Sequence, residues 1–323
     1  MLRRTVENIS LILGGACLGA VCYHQYEKLR LKPPVPLPAW KSQPIVTQKI
    51  PNAGPIADLL QRKAYSSSFN RQLRHPSWVL EHITKETLIR GEGVDRSKSR
   101  FQEDKDIPEK FRAKLLDYVR SGYDRGHMAP AADAKTTQET LNETFLLTNI
   151  APQVGNGFNR DYWAHFEEFC RRLVTNEEFK DVYVFTGPAY LPKKDETDQK
   201  FYVKYEIIGN PPNIAVPTHF FKVILATKDD PSKPEGELHA LGAFLLPNDR
   251  ISNTTPLQTF DVPLDALERV TGLTFFDQAI KDSSIHLCKV SKCILVANSK
   301  YVKEELRSAL PEPSKNNMSS LKN

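Results

Sequence analysis

Ser121–Asp133 reads SGYDRGHMAPAAD, and residues 143–173 read ETFLLTNIAPQVGNGFNRDYWAHFEEFCRRL. His127 follows Gly126 in a tight polar turn, with Asp124 and Arg125 just before it. Imidazole accepts a proton near neutrality, because its unperturbed pKa is about 6.5. A glycine beside it allows close backbone approach to a ligand. The apolar run Phe145–Asn149 reads as a short buried strand that ends on Asn149. Asn159–Val174 carries the clearest amphipathic pattern in the chain, with Tyr162, Phe166, Phe169 and Leu173 at three- and four-residue steps. That helix brings Asn159 and Glu167. The order is therefore a strand and turn with His, a strand with Asn, then a helix with Asn and Glu.

A histidine, two carboxamides and a carboxylate suit phosphate ester hydrolysis. The base activates water, and an oxygen ligand holds a divalent cation on the phosphate. Mg²⁺ keeps several of its waters and often takes only one or two protein oxygens, which a neutral Asn can supply. Zinc would want a set of His, Cys or carboxylate ligands, and no such spacing is present. Cys288 and Cys293 form a lone C-x4-C without a second pair. Taken singly, each site residue has a bland alternative. Histidines in turns are mostly hydrogen-bonded at the surface. Asn159 is a natural N-cap, and Glu167 falls on what is usually a solvated helix face. The ordered set is what carries the chemical reading.

Working outward, Ser77–Ile83, Val182–Phe185, Phe201–Ile208, Phe220–Ala226 and Ala240–Leu246 read as further strands. Pro108–Arg120 has helical spacing through Phe111, Leu115 and Val119. Pro263–Thr271 reads as a short helix closed by Gly272. Strands adjoin one another without regular βαβ alternation. The fold class expected is α+β, with a mostly antiparallel sheet.

The chain has 323 residues, 40% hydrophobic and 26% charged, which fits a globular body and excludes wholesale disorder. Five cysteines in this length exclude a small disulfide scaffold. The net charge of +5 invites a polyanion-binding reading, but its location decides otherwise. Residues 1–57 hold seven bases and two acids, whereas residues 58–310 hold 35 bases and 36 acids. Residues 9–23 form an uncharged, mostly apolar run, marginal for a membrane span, and no acid occurs between Glu27 and Asp58. We expect residues 1–32 to be a mitochondrial leader that doubles as a membrane anchor. Seven prolines in 33–55 make residues 33–57 an extended linker. A catalytic domain is expected over 58–310 and a disordered tail over 311–323.

DRGHMAPAAD at 124–133, TFLLTNIAPQ at 144–153 and FNRDYWAHFE at 158–167 resemble blocks of the DNA/RNA non-specific endonucleases of the ββα-metal (His-Me finger) class, in their endonuclease G branch. PSWVLEHIT at 76–84, FTGPAYLPKKD at 185–195 and IGNPPNIAVPTHFFKVIL at 208–225 extend the resemblance over roughly residues 70–300. The resemblance implies a ββα-metal motif and a Mg²⁺-dependent nuclease, with Mn²⁺ as a substitute ion. It implies that His127 is the general base, that Asn159 is the single protein ligand of the ion, and that Glu167 holds the ion's waters. It implies that Asn149 positions His127 or the phosphate, and that Asp124 and Arg125 shape the turn and contact substrate. Arg96 in DRSKSRF would stabilise the phosphate, with Arg100 as competitor and Arg160 as a further contact. In-line attack on phosphorus would leave 5′-phosphate and 3′-hydroxyl ends on DNA and RNA alike. The implied partners are DNA and RNA substrates, a membrane at the N-terminal segment and a second copy in a homodimer. The implied location is the mitochondrial inner membrane or intermembrane space. The alternatives are a catalytically inactive, membrane-tethered nucleic-acid-binding protein and a small-molecule phosphodiesterase.

Overall fold

The structure, a computed structural model, describes residues 57–230, 232 and 236–295. The expected leader at 1–32, nearly all of the linker at 33–57 and the tail at 311–323 lie outside the described residues. Among the described residues no helix is long and apolar enough to cross a membrane.

The strands are β1 (Asp58–Gln61), β2 (Tyr65–Asn70), β3 (His75–Ile83), β4 (Tyr123–His127), β5 (Ile150–Val154), β6 (Asp181–Ala189), β7 (Lys193–Lys194), β8 (Phe201–Tyr202), β9 (Ile207–Ile208), β10 (Ile214–Ala215), β11 (His219–Asp229), β12 (Glu237–Pro247) and β13 (Ile285–His286). The α-helices are α1 (Gln138–Glu143), α2 (Tyr162–Thr175), α3 (Leu264–Thr271), α4 (Gln278–Ser283) and α5 (Leu287–Val290). One seven-stranded sheet runs β1-β2-β3-β6-β11-β12-β13. Its pairs are antiparallel except β12 with β13. The expected α+β class with a mostly antiparallel sheet is what forms.

β11 shows why. Its run FFKVILAT is buried on both faces, so it reads as near-continuous apolar sequence rather than alternation. One face of the sheet meets α2: Val79, Ile83, Val184, Phe220, Ile224 and Phe244 pack with Trp163, Phe166, Phe169 and Leu173. The other face packs Phe221, Val223 and Ala243 against Leu267 of α3 and Phe275. Gly272 ends α3 at φ 70°, the left-handed cap that glycine adopts without strain.

Four local expectations are corrected. Pro108–Arg120 is not an α-helix but two 3₁₀ turns, Glu109–Phe111 and Leu115–Tyr118. The carbonyls a helix would use are taken from afar: Arg74 donates to Lys110 O and Asn213 donates to Arg112 O. Val119 is left exposed, not packed on a helical face. The strand expected at Phe145–Asn149 starts later, at Ile150, because Leu147–Asn149 is a 3₁₀ turn. Phe201–Ile208 is not one strand. Only its ends pair, Phe201–Tyr202 with β7 and Ile207–Ile208 with β10, and Phe201, Val203, Tyr205 and Ile207 stay exposed. The long helix begins at Tyr162 rather than Asn159.

Cys288 and Cys293, read above only as an unsupported metal pair, are joined as a disulfide. The bridge closes α5 onto the core: Leu287 lies 3.0 Å from where a Cβ on Gly242 would sit, and Arg172 donates to Ile294 O. Closing so short a loop removes denatured-state entropy worth about 2 kcal/mol. Cys288→Ser/Cys293→Ser is therefore expected to lower the free energy of urea unfolding by about that amount. An unchanged midpoint under oxidising conditions would show the bridge to be energetically idle.

Candidate nuclease active site

β4 and β5 form a separate two-stranded ladder, with Gly126 opposite Ala151 and His127 opposite Ile150. β5 leads through the turn Gly155–Asn159 into α2. Gly157 holds φ 83° in that turn, and its backbone N–H donates to Asp161 at 2.5 Å. Two strands and a helix thus enclose a cleft of about 520 Å³. His127, Asp124, Arg125, Asn159, Arg160 and Glu167 all line it, as does Arg96 from a neighbouring 3₁₀ turn.

The His127 ring packs in a triangle with two phenylalanines. Phe101 lies 5.3 Å away and tilted, Phe145 lies 5.0 Å away edge-on, and the two phenylalanine rings are 5.0 Å apart. Each phenylalanine also carries an arginine: Arg125 at 4.4 Å from Phe101 and Arg96 at 5.5 Å from Phe145. Burial lowers the His127 pKa to about 3, and the charge of Arg96 adds to that. The ring is therefore neutral at physiological pH and able to accept a proton. Its Nε2 is buried and has no hydrogen-bond partner among the described residues.

Asp124 organises the other wall. Asn159 Nδ2 donates to it at 2.9 Å, and Arg160 donates twice, at 2.7 and 2.5 Å. Burial opposes the Asp124 charge, but the bonds from Arg160 and Asn159 outweigh it and hold the carboxyl below its usual range. With the Asn159 amide N–H turned onto Asp124, its carbonyl oxygen is left as the acceptor. Glu167 opens onto the cleft while protein surrounds the rest of it. Burial pushes its carboxyl up to about 7, against the pull of Lys222 and Arg171.

Among the described residues no group of three or more His, Cys, Asp or Glu side chains forms a cage for a metal ion. One carboxamide oxygen and one nearby carboxylate, in a cleft open to water, fit a hard cation that takes few protein ligands. They do not fit structural zinc.

A family model described as DNA/RNA non-specific endonuclease matches residues 44–282. The chain belongs to the DNA/RNA non-specific endonuclease family. It is similar to a mitochondrial nuclease of Saccharomyces cerevisiae, 53% identical over 268 residues, which is 82% of this chain and 80% of that protein. It is also similar to the mitochondrial endonuclease G of Caenorhabditis elegans, 46% identical over 65% of each chain. Among solved structures, that of an EndoG/EndoGI complex superposes with TM-score 0.64 at 45% identity, covering 70% of this chain and 88% of that one. The enzyme is a DNA/RNA endonuclease, a hydrolase on the ββα-metal nuclease fold.

Within this nuclease the expected residues do not all stand together. Arg96 reaches the cleft; Arg100 does not, and donates instead to the Ser97 and Ser99 carbonyls. Asn149 is fully buried and spent on backbone. Its Nδ2 donates to Ala129 O and Thr144 O, and its Oδ1 accepts from Ala129 N–H. That excludes direct phosphate contact and leaves Asn149 holding the loop that follows His127. Asn159 is not an N-cap: it precedes Asp161, and its amide bonds Asp124. Gly126 admits close approach, but of protein rather than ligand. A Cβ there would lie 1.9 Å from Gln153 Oε1 and 2.5 Å from Gln153 Cγ. Phe101, Phe145, Tyr118 and Tyr123 were invisible as site residues, since an aromatic in sequence reads as core; only the pair RF at 100–101 hints at stacking.

Gly126→Ala should cost at least tenfold in nuclease activity, because the methyl pushes Gln153 and the His127 strand apart. Shortening the neighbour, Gly126→Ala/Gln153→Ala, should recover most of it; no recovery would place the defect elsewhere. The buried histidines make a separate prediction. His127 is lowered to about 3 and His75, which is fully buried, to about 4, chiefly by desolvation. A depressed folded pKa gives stability present above about 6.5 and lost as pH falls through the folded value. Proton NMR should show both rings neutral at pH 5 in the metal-free protein; imidazolium shifts there would contradict the burial argument.

Proposed function

We propose that this endonuclease is a mitochondrial, sugar-non-specific enzyme that hydrolyses phosphodiester bonds in DNA and RNA with Mg²⁺, leaving 5′-phosphate and 3′-hydroxyl ends. The observation that carries this is the neutral His127 ring, held by Phe101 and Phe145, across one cleft from Asn159. Its relatives in yeast and Caenorhabditis elegans bear mitochondrial names. The basic, acid-poor stretch before Asp58 supports the same address. Under this reading residues 1–32 are leader and membrane anchor, 33–57 linker, 58–310 nuclease domain and 311–323 tail.

The chain's own groups divide the work. Arg96 and Arg125 seat the scissile phosphate at the aromatic wall, and Arg160 extends the contact along the backbone. His127 takes the proton from the attacking water. Burial and the charge of Arg96 keep the resting ring neutral, so its nitrogen lone pair is free to take that proton, and the ring is charged only while it holds it. Asp124 takes the Asn159 amide N–H, so the Asn159 carbonyl oxygen would be the group to hold Mg²⁺, or Mn²⁺ in its place. Glu167 would accept hydrogen bonds from the ion's waters. When bound, the cation supplies the positive charge that stabilises the phosphorane-like transition state. No groove-reading module accompanies the cleft, and contacts to phosphate carry no sequence information, so tolerance of sequence follows. The exposed apolar side chains Phe201, Val203, Tyr205 and Ile207 support the proposed homodimer as a surface suited to a second copy.

The purified full-length protein is expected to cut plasmid DNA and single-stranded RNA with Mg²⁺. His127→Ala should lose about 10²–10⁴-fold in rate. Asn159→Ala should stay folded by circular dichroism and need far more Mg²⁺ for half-maximal rate. Intact polymers with wild type would overturn the reading in favour of an inactive tether, and equal cutting by His127→Ala would remove His127 as the base. Phe201→Glu/Tyr205→Glu should shift sedimentation from dimer to monomer.

A further inference from the structure

Five ionisable side chains lie behind the cleft, between α2 and the sheet. Glu81 on β3 and Lys222 on β11 are 4% and 1% exposed, and both stand on the sheet face that α2 covers. α2 contributes Glu167 and Arg171. Asp133, six residues after His127, bonds Arg171 at 2.7 Å. Three carboxyls thus share two cations.

Lys222 is the unusual member. Its neighbours on that face, Phe220, Ile224 and Ala226, are wholly apolar and buried. Burying an ammonium among them is costly unless its charge is compensated. Its Nζ donates to Thr186 Oγ1 at 2.8 Å, and no carboxylate comes within ion-pairing range of it among the described residues. It sits 4.8 Å from the Trp163 ring and 6.0 Å from the Phe166 ring. Phe166 directly precedes Glu167 on α2, and Trp163 stands four residues before it. The ammonium is therefore lodged directly under the turn that bears Glu167, and its charge acts on Glu167, Glu81 and Asp133 together. Low-dielectric surroundings make such an action strong at a distance where water would screen it.

We infer that Lys222 is a positioning residue of the nuclease site: seated beneath α2 against Trp163 and Phe166, it holds a positive charge under the turn that bears Glu167, and through Glu167 it supports the cleft's hold on a divalent cation. This rests on the metal-dependent reading proposed above. Lys222 touches neither substrate nor ion. Its charge keeps the carboxylate available to the ion's waters, while Thr186 and the two aromatic rings fix where that charge stands. Asp133 and Arg171 tie the same cluster to the loop that follows His127, so base and carboxylate share one buried mounting.

The test reads cation binding rather than turnover. Mn²⁺ alone is titrated into the full-length protein and its bound fraction followed by electron paramagnetic resonance. Lys222→Met keeps the length of the side chain and removes the charge. It should weaken Mn²⁺ binding at least fivefold, as should Glu167→Gln, and the two together should be no more than twofold worse than either. Binding within twofold of wild type in Lys222→Met overturns the inference, as does a full extra loss from Glu167→Gln in that background. Lys222→Met/Glu81→Gln removes one charge of each sign and carries the comparison if the single variant fails to fold. Weakened Mn²⁺ binding in that folded double variant supports the role toward Glu167. Restored binding means that Lys222 serves only to balance Glu81. A wild-type protein that binds no Mn²⁺ sinks the metal reading itself, which is a separable result.

Discussion

The seam between α2 and the sheet governs everything that happens in the cleft. Trp163, Phe166, Phe169 and Leu173 bury one face of the helix against β3, β6, β11 and β12. Burial of aromatic and aliphatic area supplies the driving force there, and close packing leaves the helix one seat. With α2 seated, Glu167 must face the cleft, because it lies a third of a turn away from that apolar stripe. The turn at 155–159 then has a fixed end, and Asn159 a fixed position.

Beside this helix the small β4–β5 ladder buries Ala151 and Ile150 in two different apolar clusters. Polar links then orient it: Asp124 to Asn159 and Arg160, Asn149 to the backbone of 129 and 144, and Asn248 to the carbonyls of Pro152 and Pro217. Such bonds are directional where apolar contacts are not. The division suits an enzyme, since apolar packing supplies stability and the polar links set the orientation of the reacting groups. The cluster of Phe101, Phe145 and His127 at the wall joins the two: its rings exclude water, and Arg96 and Arg125 lie against the two phenylalanines.

What the sequence revealed follows the range of the interaction involved. The set His127, Asn159 and Glu167 was legible because the ββα unit is local, and periodicity alone places Glu167 on α2. β6, β11 and β12 were legible from apolar runs, although their ends were not. The stretch 108–120 misled because its carbonyls are satisfied by Arg74 and Asn213, neighbours in space and remote in sequence. Asn149 was read as positioning His127 or the phosphate, and only coordinates show its amide used up on two backbone segments. Arg96 could be separated from Arg100 only once Phe145 lay beneath the one and chain carbonyls held the other. The C-x4-C pair gave no spacing signal for a disulfide, since five residues of separation fit a bridge only in a suitable turn.

Gln153 folding over Gly126 has a consequence for how the nuclease reaches its active form. A five-residue, two-stranded ladder is weakly held in alignment, and a slip of one residue exchanges its two faces. Here a slipped pairing would bring the Cβ of Arg125 or His127 into the space that the Gln153 side chain fills. Neighbouring registers are thereby excluded by volume, before any charge or metal enters. The absent side chain at Gly126 acts as a notch, and His127 inherits its address from it.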